Sequence, residues 1–388
     1  MLQSIVIYTL LLGVMMLFFY IASLKGSYYK DTNGLIKEHS FWKVEILFPL
    51  LIFATVFGMR YDVGTDYLNY LFEYKYYDIN NSNYELFFSF ITHLCRKNGL
   101  HYCIYFGILA FIQIFFFFYA FKKERHLYPF LILFLFFTND WLSWMNIIRQ
   151  SLAMCIWIYS LKYIEEKKIW LYFLWVFVAF LFHRSAIILF LFYPILVKDI
   201  DYFKNIPLQL ILILFSILFR MYFENSIMYF EELINFYASL LGKDDFYINA
   251  YNIDILKTDF SDVTINIGFF FKLIANIVVI LYSKRMKSFY NNKRFIIIYF
   301  LFFVGLLSFY IFPAGAISIS RPFRYFYIFQ GITYAYFIYY LIKSHIDYNK
   351  LVALFFILLF AYRFYDSIIT AYYSPINHHL LYLFYFQS

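Results

Sequence analysis

The sequence predicts an all-α fold: a polytopic transmembrane bundle of about twelve helices. Of its 388 residues, 64% are hydrophobic and only 14% are charged, whereas a soluble domain is nearer half apolar and a quarter charged. Apolar segments long enough to cross a bilayer recur along the whole chain. The first of them follows Met1 without a basic start or a small-residue cleavage site, so we expect it to be retained as a span.

Each predicted span is an apolar run bounded by charged or turn-forming residues. The runs lie near 2–24, 43–59, 101–121, 127–142, 147–164, 168–182, 185–197, 206–222, 264–283, 295–312, 323–342 and 350–372. No repeat and no Pro-rich or Gly-rich linker divides them, so the sequence predicts one integral membrane domain over 1–388.

The lysines and arginines predict the orientation of these spans. Alternate connections, beginning with 25–43, hold nineteen basic residues, and the other set holds eleven spread over longer loops. Because basic residues concentrate on the cytoplasmic side, both termini are expected outside. The net charge of +8 is then a topology signal rather than a sign of nucleic-acid binding. The two larger outer loops are 60–100, with an amphipathic helix over 84–97, and 223–263.

Four polar segments lie at predicted outer ends of spans. They are Arg60–Tyr70, Asp140–Gln150, His183–Ala186 and Arg321–Tyr325. Charged clusters at such positions are functional-site candidates. Asn146, Arg149 and Gln150 share one helix face. Structural alternatives stay open, because Arg149 can snorkel to the interface, Asp66 can cap a helix and His183 can pair locally.

Several converging arginines suit a diphosphate, because guanidinium is planar, permanently charged and able to bind two oxygens at once. The chain contains no nucleotide-binding or metalloprotease motif, and its inner loops are short basic turns. Cys95, Cys103 and Cys155 lack metal-ligand spacing and are expected to be apolar filler. We therefore expect a substrate that is already activated, carried by a lipid and met from the outer face.

Three of these segments resemble one known family. The matching residues are Arg60-x-x-x-Gly64-Thr65-Asp66-Tyr67-x-x-Tyr70, Asn146-x-x-Arg149-Gln150-x-x-Ala153 and His183-x-Ser185-Ala186. Their order and separation resemble the EpsG/Wzy-like bacterial membrane polysaccharide polymerases over about residues 40–190. Beyond that range, the similarity rests on topology and on Arg321-x-x-Arg324-Tyr325.

The resemblance implies a GT-C-like helical bundle in the bacterial cytoplasmic (inner) membrane, acting on its outer or periplasmic side. The implied activity is polymerisation of O-antigen, capsule or exopolysaccharide repeat units carried on undecaprenyl diphosphate. It implies no cofactor and no metal. The implied partners are the lipid-linked oligosaccharide, membrane lipids and a chain-length regulator, with no nucleic acid.

The implied site residues divide by role. Arg149, Asp66 and His183 are the expected catalytic residues, with Arg149 stabilising the leaving diphosphate and Asp66 and His183 competing as the base. The expected diphosphate and sugar contacts come from Arg60, Asp62, Thr65, Tyr67, Tyr70, Asn146, Gln150, Arg184, Arg321, Arg324 and Tyr325. Asp62 is the third candidate for the base, after Asp66 and His183.

Two other functions fit part of the pattern. A ligase that moves a finished glycan, for example onto lipopolysaccharide core, would use the same donor and similar arginines. A flippase for lipid-linked oligosaccharide would need no chemistry, but we expect it to carry polar residues through the depth of several spans. Here the charged motifs gather at one predicted face, which favours the polymerase.

Overall fold

The protein is all-helical and of the membrane-embedded type. The computed structural model describes residues 1–30, 35–76, 85–226, 267–312, 320–373 and 378–387. In this part of the chain, five helices are long and apolar enough to cross a membrane: Leu2–Lys25, Tyr102–Ala120, Ile267–Tyr290, Lys293–Ile311 and Asp347–Tyr373. Several shorter apolar helices accompany them. The fold class is confirmed, and the number of crossings stays a prediction.

The helices follow the predicted apolar runs closely. The α-helices are α1 Leu2–Lys25, α2 Val44–Gly58, α3 Tyr67–Tyr76, α4 Leu86–Lys97, α5 Tyr102–Ala120, α6 Tyr128–Phe137, α7 Asp140–Asn146, α8 Ile148–Ser160, α9 Lys162–Glu165, α10 Ile169–Phe180, α11 Tyr193–Leu196, α12 Ile206–Ser226, α13 Ile267–Tyr290, α14 Lys293–Ile311, α15 Arg324–Lys343 and α16 Asp347–Tyr373. Short 3₁₀ helices cover Arg125–Leu127, Arg184–Phe192, Arg321–Phe323, His378–Leu380 and Tyr385–Gln387.

Two predicted spans have a different local structure. The run 127–142 is interrupted after α6, where Asn139 takes a left-handed backbone with φ of 60° and α7 begins in a new direction. The run 185–197 is mainly the 3₁₀ helix Arg184–Phe192, which continues into α11. The amphipathic helix expected over 84–97 is confirmed as α4. Most of the outer loop predicted over 223–263 lies outside the described residues.

The described chain forms two compact units, Met1–Tyr193 with Leu341–Ser388, and Pro194–Tyr340. In the first unit, α2 packs on α5, α5 on α8, and α8 on α10, while α1 packs on α2 and α6. In the second unit, α12 packs on α14 and α13. The prediction of a single domain is not decided by this division.

Glycines bring α2 and α5 into backbone contact. A Cβ placed on Gly58 would lie 2.5 Å from the Cys103 carbonyl oxygen and 3.0 Å from Gly107 Cα. A Cβ on Gly107 would lie 3.3 Å from the Ala54 carbonyl oxygen. Small residues at helix crossings allow this close approach. The contact places the end of α2, and the polar loop that follows it, against the start of α5.

The C-terminal segment forms a strap across the end of α2. Strand β4 (Leu383–Phe384) pairs antiparallel with β3 (Arg60–Tyr61), and β1 (Tyr28–Lys30) with β2 (Ile36–Glu38) elsewhere in this unit. The Tyr382 hydroxyl donates to the Val56 carbonyl at 2.6 Å, and its ring is buried. The sequence analysis did not foresee this strap, because two-residue strands carry no periodic signal.

Replacing Gly58 should separate α2 from α5. We expect Gly58→Ala to lower the free energy of unfolding by about 1–3 kcal/mol, because the added methyl group overpacks a backbone contact. Gly13→Ala in α1 is the matched control, since a Cβ there meets nothing within 4 Å. Thermal unfolding of both variants in detergent tests this, and equal melting temperatures would contradict the packing.

Candidate active site

The polar loop after α2 is built from two left-handed residues and a helix start. Asp62 has φ of 53° and Gly64 has φ of 99°, which together reverse the chain after β3. The Gly64 N–H donates to the His379 carbonyl at 2.9 Å, and the Tyr67 N–H donates to the Gly64 carbonyl at 3.1 Å. Helix α3 then begins at Tyr67.

Gly64 joins the first polar motif to the second. A Cβ on Gly64 would overlap the side-chain oxygen of Asn146 and lie 3.4 Å from the Met145 carbonyl oxygen. Together with its positive φ, this close approach explains why glycine occupies the position. The loop therefore rests directly on the end of α7, immediately before the helix that carries Arg149.

Arg60, predicted as part of a diphosphate clamp, lies inside the loop instead. Its side chain is buried, with the whole residue only 1% exposed. The guanidinium donates to the Val63 carbonyl at 3.3 Å and to the Phe57 carbonyl, and it lies over the ring of Phe106 at 5.0 Å. Burial lowers the pKa of Arg60 to about 10, so it stays cationic at neutral pH. In this conformation Arg60 holds the loop together and is closed to a substrate.

The centre of the site is an ion pair between Arg149 and Glu85. Arg149 Nη1 and Glu85 Oε2 are 2.7 Å apart, with the Glu85 side chain 3% exposed and the Arg149 side chain 22% exposed. Arg149 lies in the first turn of α8, and Glu85 is the residue that precedes α4. Glu85 thus fixes the orientation of the guanidinium, and part of the Arg149 side chain remains exposed.

Glu85 also binds the third polar motif, His183–Ala186, through a backbone N–H. Its Oε1 accepts the Arg184 backbone N–H at 3.2 Å, and the Phe87 N–H donates to the Leu181 carbonyl at 3.0 Å. Burial raises the pKa of Glu85, but the Arg149 charge and the backbone N–H groups outweigh burial and leave that pKa below its ordinary value. Glu85 is therefore ionised at neutral pH.

His183 acts as the cap of the 3₁₀ helix that follows it. Its Nδ1 accepts the Ser185 backbone N–H at 3.2 Å and lies 3.1 Å from Ser185 Oγ. A backbone N–H can only donate, so Nδ1 carries a lone pair and the ring proton lies on Nε2. The 3.8 Å separation between His183 Nδ1 and Glu85 is accordingly not a charged pair. This arrangement favours the capping role that the sequence analysis left open.

One face of α3 points acidic and phenolic groups toward Arg149. Asp66, Tyr70 and Glu73 are spaced i, i+4 and i+7, which aligns them on one face. The Arg149 side chain is hydrogen-bonded to the Tyr70 hydroxyl. Partial burial raises the pKa of Glu73 to about 7, with Arg149 lowering it and Asp66 raising it. Glu73 is thus half-ionised near neutral pH.

The sequence analysis missed both Glu73 and Glu85. The i, i+4, i+7 spacing from Asp66 through Tyr70 was a readable signal for Glu73. Glu85 offered no comparable signal, because it is a lone acid ahead of an amphipathic helix. Its partners lie 64 and 99 positions away along the chain.

The other predicted residues have different surroundings. Tyr67 is buried at 0% exposure with its ring against Phe106, and Gln150 is buried in α8. Thr65 is exposed, and Asp62 Oδ1 lies 3.7 Å from His379 Nδ1.

In the second unit, Arg321 and Arg324 are partly exposed, where the 3₁₀ helix Arg321–Phe323 leads into α15, and Tyr325 is buried. The Phe323 ring packs on Phe312 at 5.0 Å between centroids. Nothing in this geometry tests their predicted role as substrate contacts.

Among the described residues, no group of three or more His, Cys, Asp or Glu side chains is arranged to hold a metal ion. The titratable groups around Arg149, Tyr70 and Glu73 among them, are candidates for ligand binding and proton transfer because of their position. Whether the reaction proceeds without metal stays a prediction.

The fold and this site define a membrane-embedded helical protein with a polar centre built on a paired arginine. The family model described as the EpsG family matches residues 43–381, and the chain belongs to that family. EpsG is a family of Wzy-like polymerases, so the resemblance seen in the motifs is confirmed and extends well beyond residue 190. No curated protein and no solved structure matches the chain.

Family membership supports a role in membrane polysaccharide biosynthesis and suggests a polymerase-like activity. The match includes the Arg60–Tyr70 loop, Glu85, Arg149 and His183. It also reaches His379 in the C-terminal strap, whose carbonyl binds the Gly64 N–H.

Removing the Glu85 carboxylate should destabilise the fold, because Arg149 would keep a partly buried charge without its partner. We expect Glu85→Gln to lower the free energy of unfolding by about 2 kcal/mol, less than for a fully buried pair because Arg149 is partly exposed. Since the folded pKa is depressed, this contribution is present above the ordinary carboxyl range and is lost as the pH falls through the folded value.

Glu166→Gln is the matched control. Glu166 pairs with Lys168 at the same 2.7 Å, but both side chains are much more exposed, so its loss should cost less than about 1 kcal/mol. Unfolding in detergent at neutral and acid pH measures both variants. If both variants lose the same free energy of unfolding, the Glu85 ion pair stabilises the fold no more than an exposed pair does.

Proposed function

We propose that the chain is a polysaccharide repeat-unit polymerase of the Wzy type. It transfers the growing glycan from undecaprenyl diphosphate to the next lipid-linked repeat unit at the outer leaflet of the bacterial cytoplasmic membrane. The observation that carries this proposal is the Arg149–Glu85 centre, where a preoriented and partly exposed guanidinium stands in an otherwise apolar, membrane-embedded chain. Membership of the EpsG family supports it.

The proposed reaction breaks one bond and forms one. The bond between the anomeric carbon of the growing chain and its diphosphate oxygen breaks, and the diphosphate leaves with the electron pair. The anomeric carbon forms a new bond to a hydroxyl oxygen of the incoming unit, and that hydroxyl loses its proton. Negative charge develops on the departing diphosphate, so a fixed cation beside it lowers the barrier. Arg149 is the proposed cation.

Glu73 is the proposed base that accepts the hydroxyl proton. A general base works best when its pKa lies near the operating pH, and the pKa of Glu73 is about 7. His183 is less suited, because its Nδ1 is occupied by the Ser185 N–H. Asp66 remains the alternative on the same helix face. Tyr70, Asn146, Thr65 and Arg184 are proposed to orient sugar or phosphate oxygens.

The proposal also includes the membrane topology and the type of helical bundle. The proposed twelve spans follow from the apolar runs, the outer termini from the alternation of basic connections, and the GT-C-like bundle from the resemblance to the EpsG/Wzy-like family. In that topology Arg321, Arg324 and Tyr325 belong to an outer connection and are proposed as further substrate contacts. The reaction is proposed to need no metal, with a chain-length regulator as a separate partner.

Deleting the gene separates the polymerase from its rivals. A strain without the polymerase should keep a single repeat unit on the glycan anchor and lose the ladder of longer chains on a gel. Loss of a ligase or of a flippase would remove all anchored glycan. An unchanged ladder would refute the proposal.

The same strain tests Arg149. We expect Arg149→Lys to leave the ladder unrestored, because an ammonium lacks the planar fork that binds two oxygens. Arg285→Lys, at an exposed arginine in α13, should restore a full ladder. Comparable expression of both variants is checked by immunoblot. A full ladder with Arg149→Lys would show that charge alone suffices there.

Glu73 should set the pH dependence of chain growth. A base must be deprotonated to act, so the rate of the unaltered protein should rise as the pH increases through about 7. Glu73→Gln should reduce the rate by about a hundredfold to ten-thousandfold and remove this step. The assay follows ladder formation in vesicles supplied with lipid-linked repeat units from the deletion strain.

Asp66→Asn and His183→Gln are the controls for that experiment. Both should retain the rise, even where the rate itself falls, and Asp66→Asn should move it to lower pH because the Asp66 charge raises the pKa of Glu73. If one of these two variants removes the rise and Glu73→Gln retains it, the base is the residue whose substitution removed the rise.

A further inference from the structure

A groove lies between α2 and α5, directly beneath the polar loop. One wall is formed by Leu51, Thr55 and Met59, and the other by Ile104, Ile108 and Phe111. The cavity has a volume of about 390 Å³, which lies within the range of small-molecule sites.

The groove forms where α2 and α5 cross at small residues, among them Ala54 and Gly107 in its lining. Gly58 and Gly107 bring the two helix backbones together, and a Cβ on either glycine would meet the backbone of the opposite helix. The larger side chains about one turn away on each helix form the two walls of the groove. The cavity is thus a result of the same close packing that positions the Arg60–Tyr70 loop.

The lining is suited to a hydrocarbon. The Thr55 hydroxyl donates to the Leu51 carbonyl of its own helix at 2.9 Å, so its hydrogen-bonding need is met internally. Leu51 is 53% exposed and Ile104 is 50% exposed at the open side of the groove. In a membrane-embedded chain these side chains face lipid, so an apolar occupant can enter sideways from the bilayer.

One end of the groove reaches the candidate active site. Met59 immediately precedes Arg60, and the Cys103 carbonyl lies against Gly58 where α5 begins. The wall from Leu51 to Met59 spans eight residues of helix, or about 12 Å. A chain lying in the groove therefore ends at the loop whose Gly64 rests on Asn146, three residues before Arg149.

We propose that this groove holds the first isoprene units of the polyisoprenoid carrier, next to its diphosphate. The inference rests on the proposed function, since it assigns the lipid end of that substrate. The apolar groove ends at Met59, next to the polar loop, and this selects the occupant, because a polyisoprenyl diphosphate joins a long hydrocarbon to a compact dianionic group. Membrane phospholipid is the competing occupant.

Photolabelling of the full chain in phospholipid nanodiscs tests the assignment. The first probe is a polyisoprenyl phosphate with a diazirine in the isoprene unit nearest the phosphate, and the second is a phosphatidylglycerol with a diazirine in its acyl chain. We expect the first probe to label peptides containing residues 51–59 and 103–111. Excess unlabelled undecaprenyl phosphate should reduce this labelling about tenfold, as expected when one bound species displaces another.

Two tryptophan variants localise the label. Thr55→Trp fills the groove and should reduce labelling by the isoprenoid probe about tenfold. Leu17→Trp adds the same bulk at a residue of α1 that is 57% exposed and outside the groove, and it should leave labelling unchanged. Thermal unfolding confirms that each variant is folded, and Ile108→Trp on the opposite wall replaces Thr55→Trp if the latter fails to fold.

Equal labelling by the phospholipid probe, without displacement by undecaprenyl phosphate, would show ordinary boundary lipid and overturn the assignment. Unchanged labelling of folded Thr55→Trp would do the same. The outcome is separable from the polymerase proposal. A glycan ladder that survives gene deletion refutes the polymerase proposal, even if undecaprenyl phosphate displaces the label from the groove. Loss of the ladder combined with a label that is not displaced refutes the groove assignment alone.

Discussion

The buried carboxylate of Glu85 is the interaction on which the arrangement of the site depends. A carboxylate at 3% exposure is costly unless it is paired and hydrogen-bonded, and its partners come from two distant segments. Arg149 supplies the charge from α8, and the Arg184 N–H supplies a hydrogen bond from the turn after α10. Satisfying this single group therefore holds α4, α8 and that turn together.

The polar loop is held by a second set of contacts of a different kind. Its arginine, Arg60, donates to one carbonyl of the loop and one of α2 and lies over an aromatic ring, while its Nη2 is buried without a hydrogen bond. The C-terminal strap adds β-pairing and the hydrogen bond from Gly64 to His379. Because Gly64 also rests on Asn146, the loop, the strap and the end of α7 form one connected support. Such support is what a preorganised charged site needs.

Charge balance links the proposed roles. The Arg149–Glu85 pair is neutral as a unit, so in the proposed reaction the guanidinium would act through its fixed orientation rather than through an excess of positive charge. If Glu73 takes up the acceptor proton, the site loses one negative charge as the diphosphate leaves. The proposed proton transfer would then offset the charge that develops beside Arg149. The apolar groove next to the loop would place the lipid end of the same substrate.

The sequence by itself determined the class of fold, the positions of most helices and the family. Spanning segments must satisfy their backbone internally and expose apolar side chains, so hydropathy alone located α1, α5, α14 and α16 to within three residues, and α13 except for its last seven residues. The motif around Gly64 and Arg149 was equally visible, because short spacings along one chain are enough to read it.

Only the tertiary structure decided which charges meet. That Arg60 is buried among carbonyls, that His183 caps a helix and that Glu85 holds Arg149 depends on contacts between segments far apart in the chain. Burial and pairing set the pKa of Glu73 in the same way, through neighbours that its local sequence does not name. Local patterns fix helices because backbone hydrogen bonds are local, whereas the electrostatics of a site depend on long-range packing.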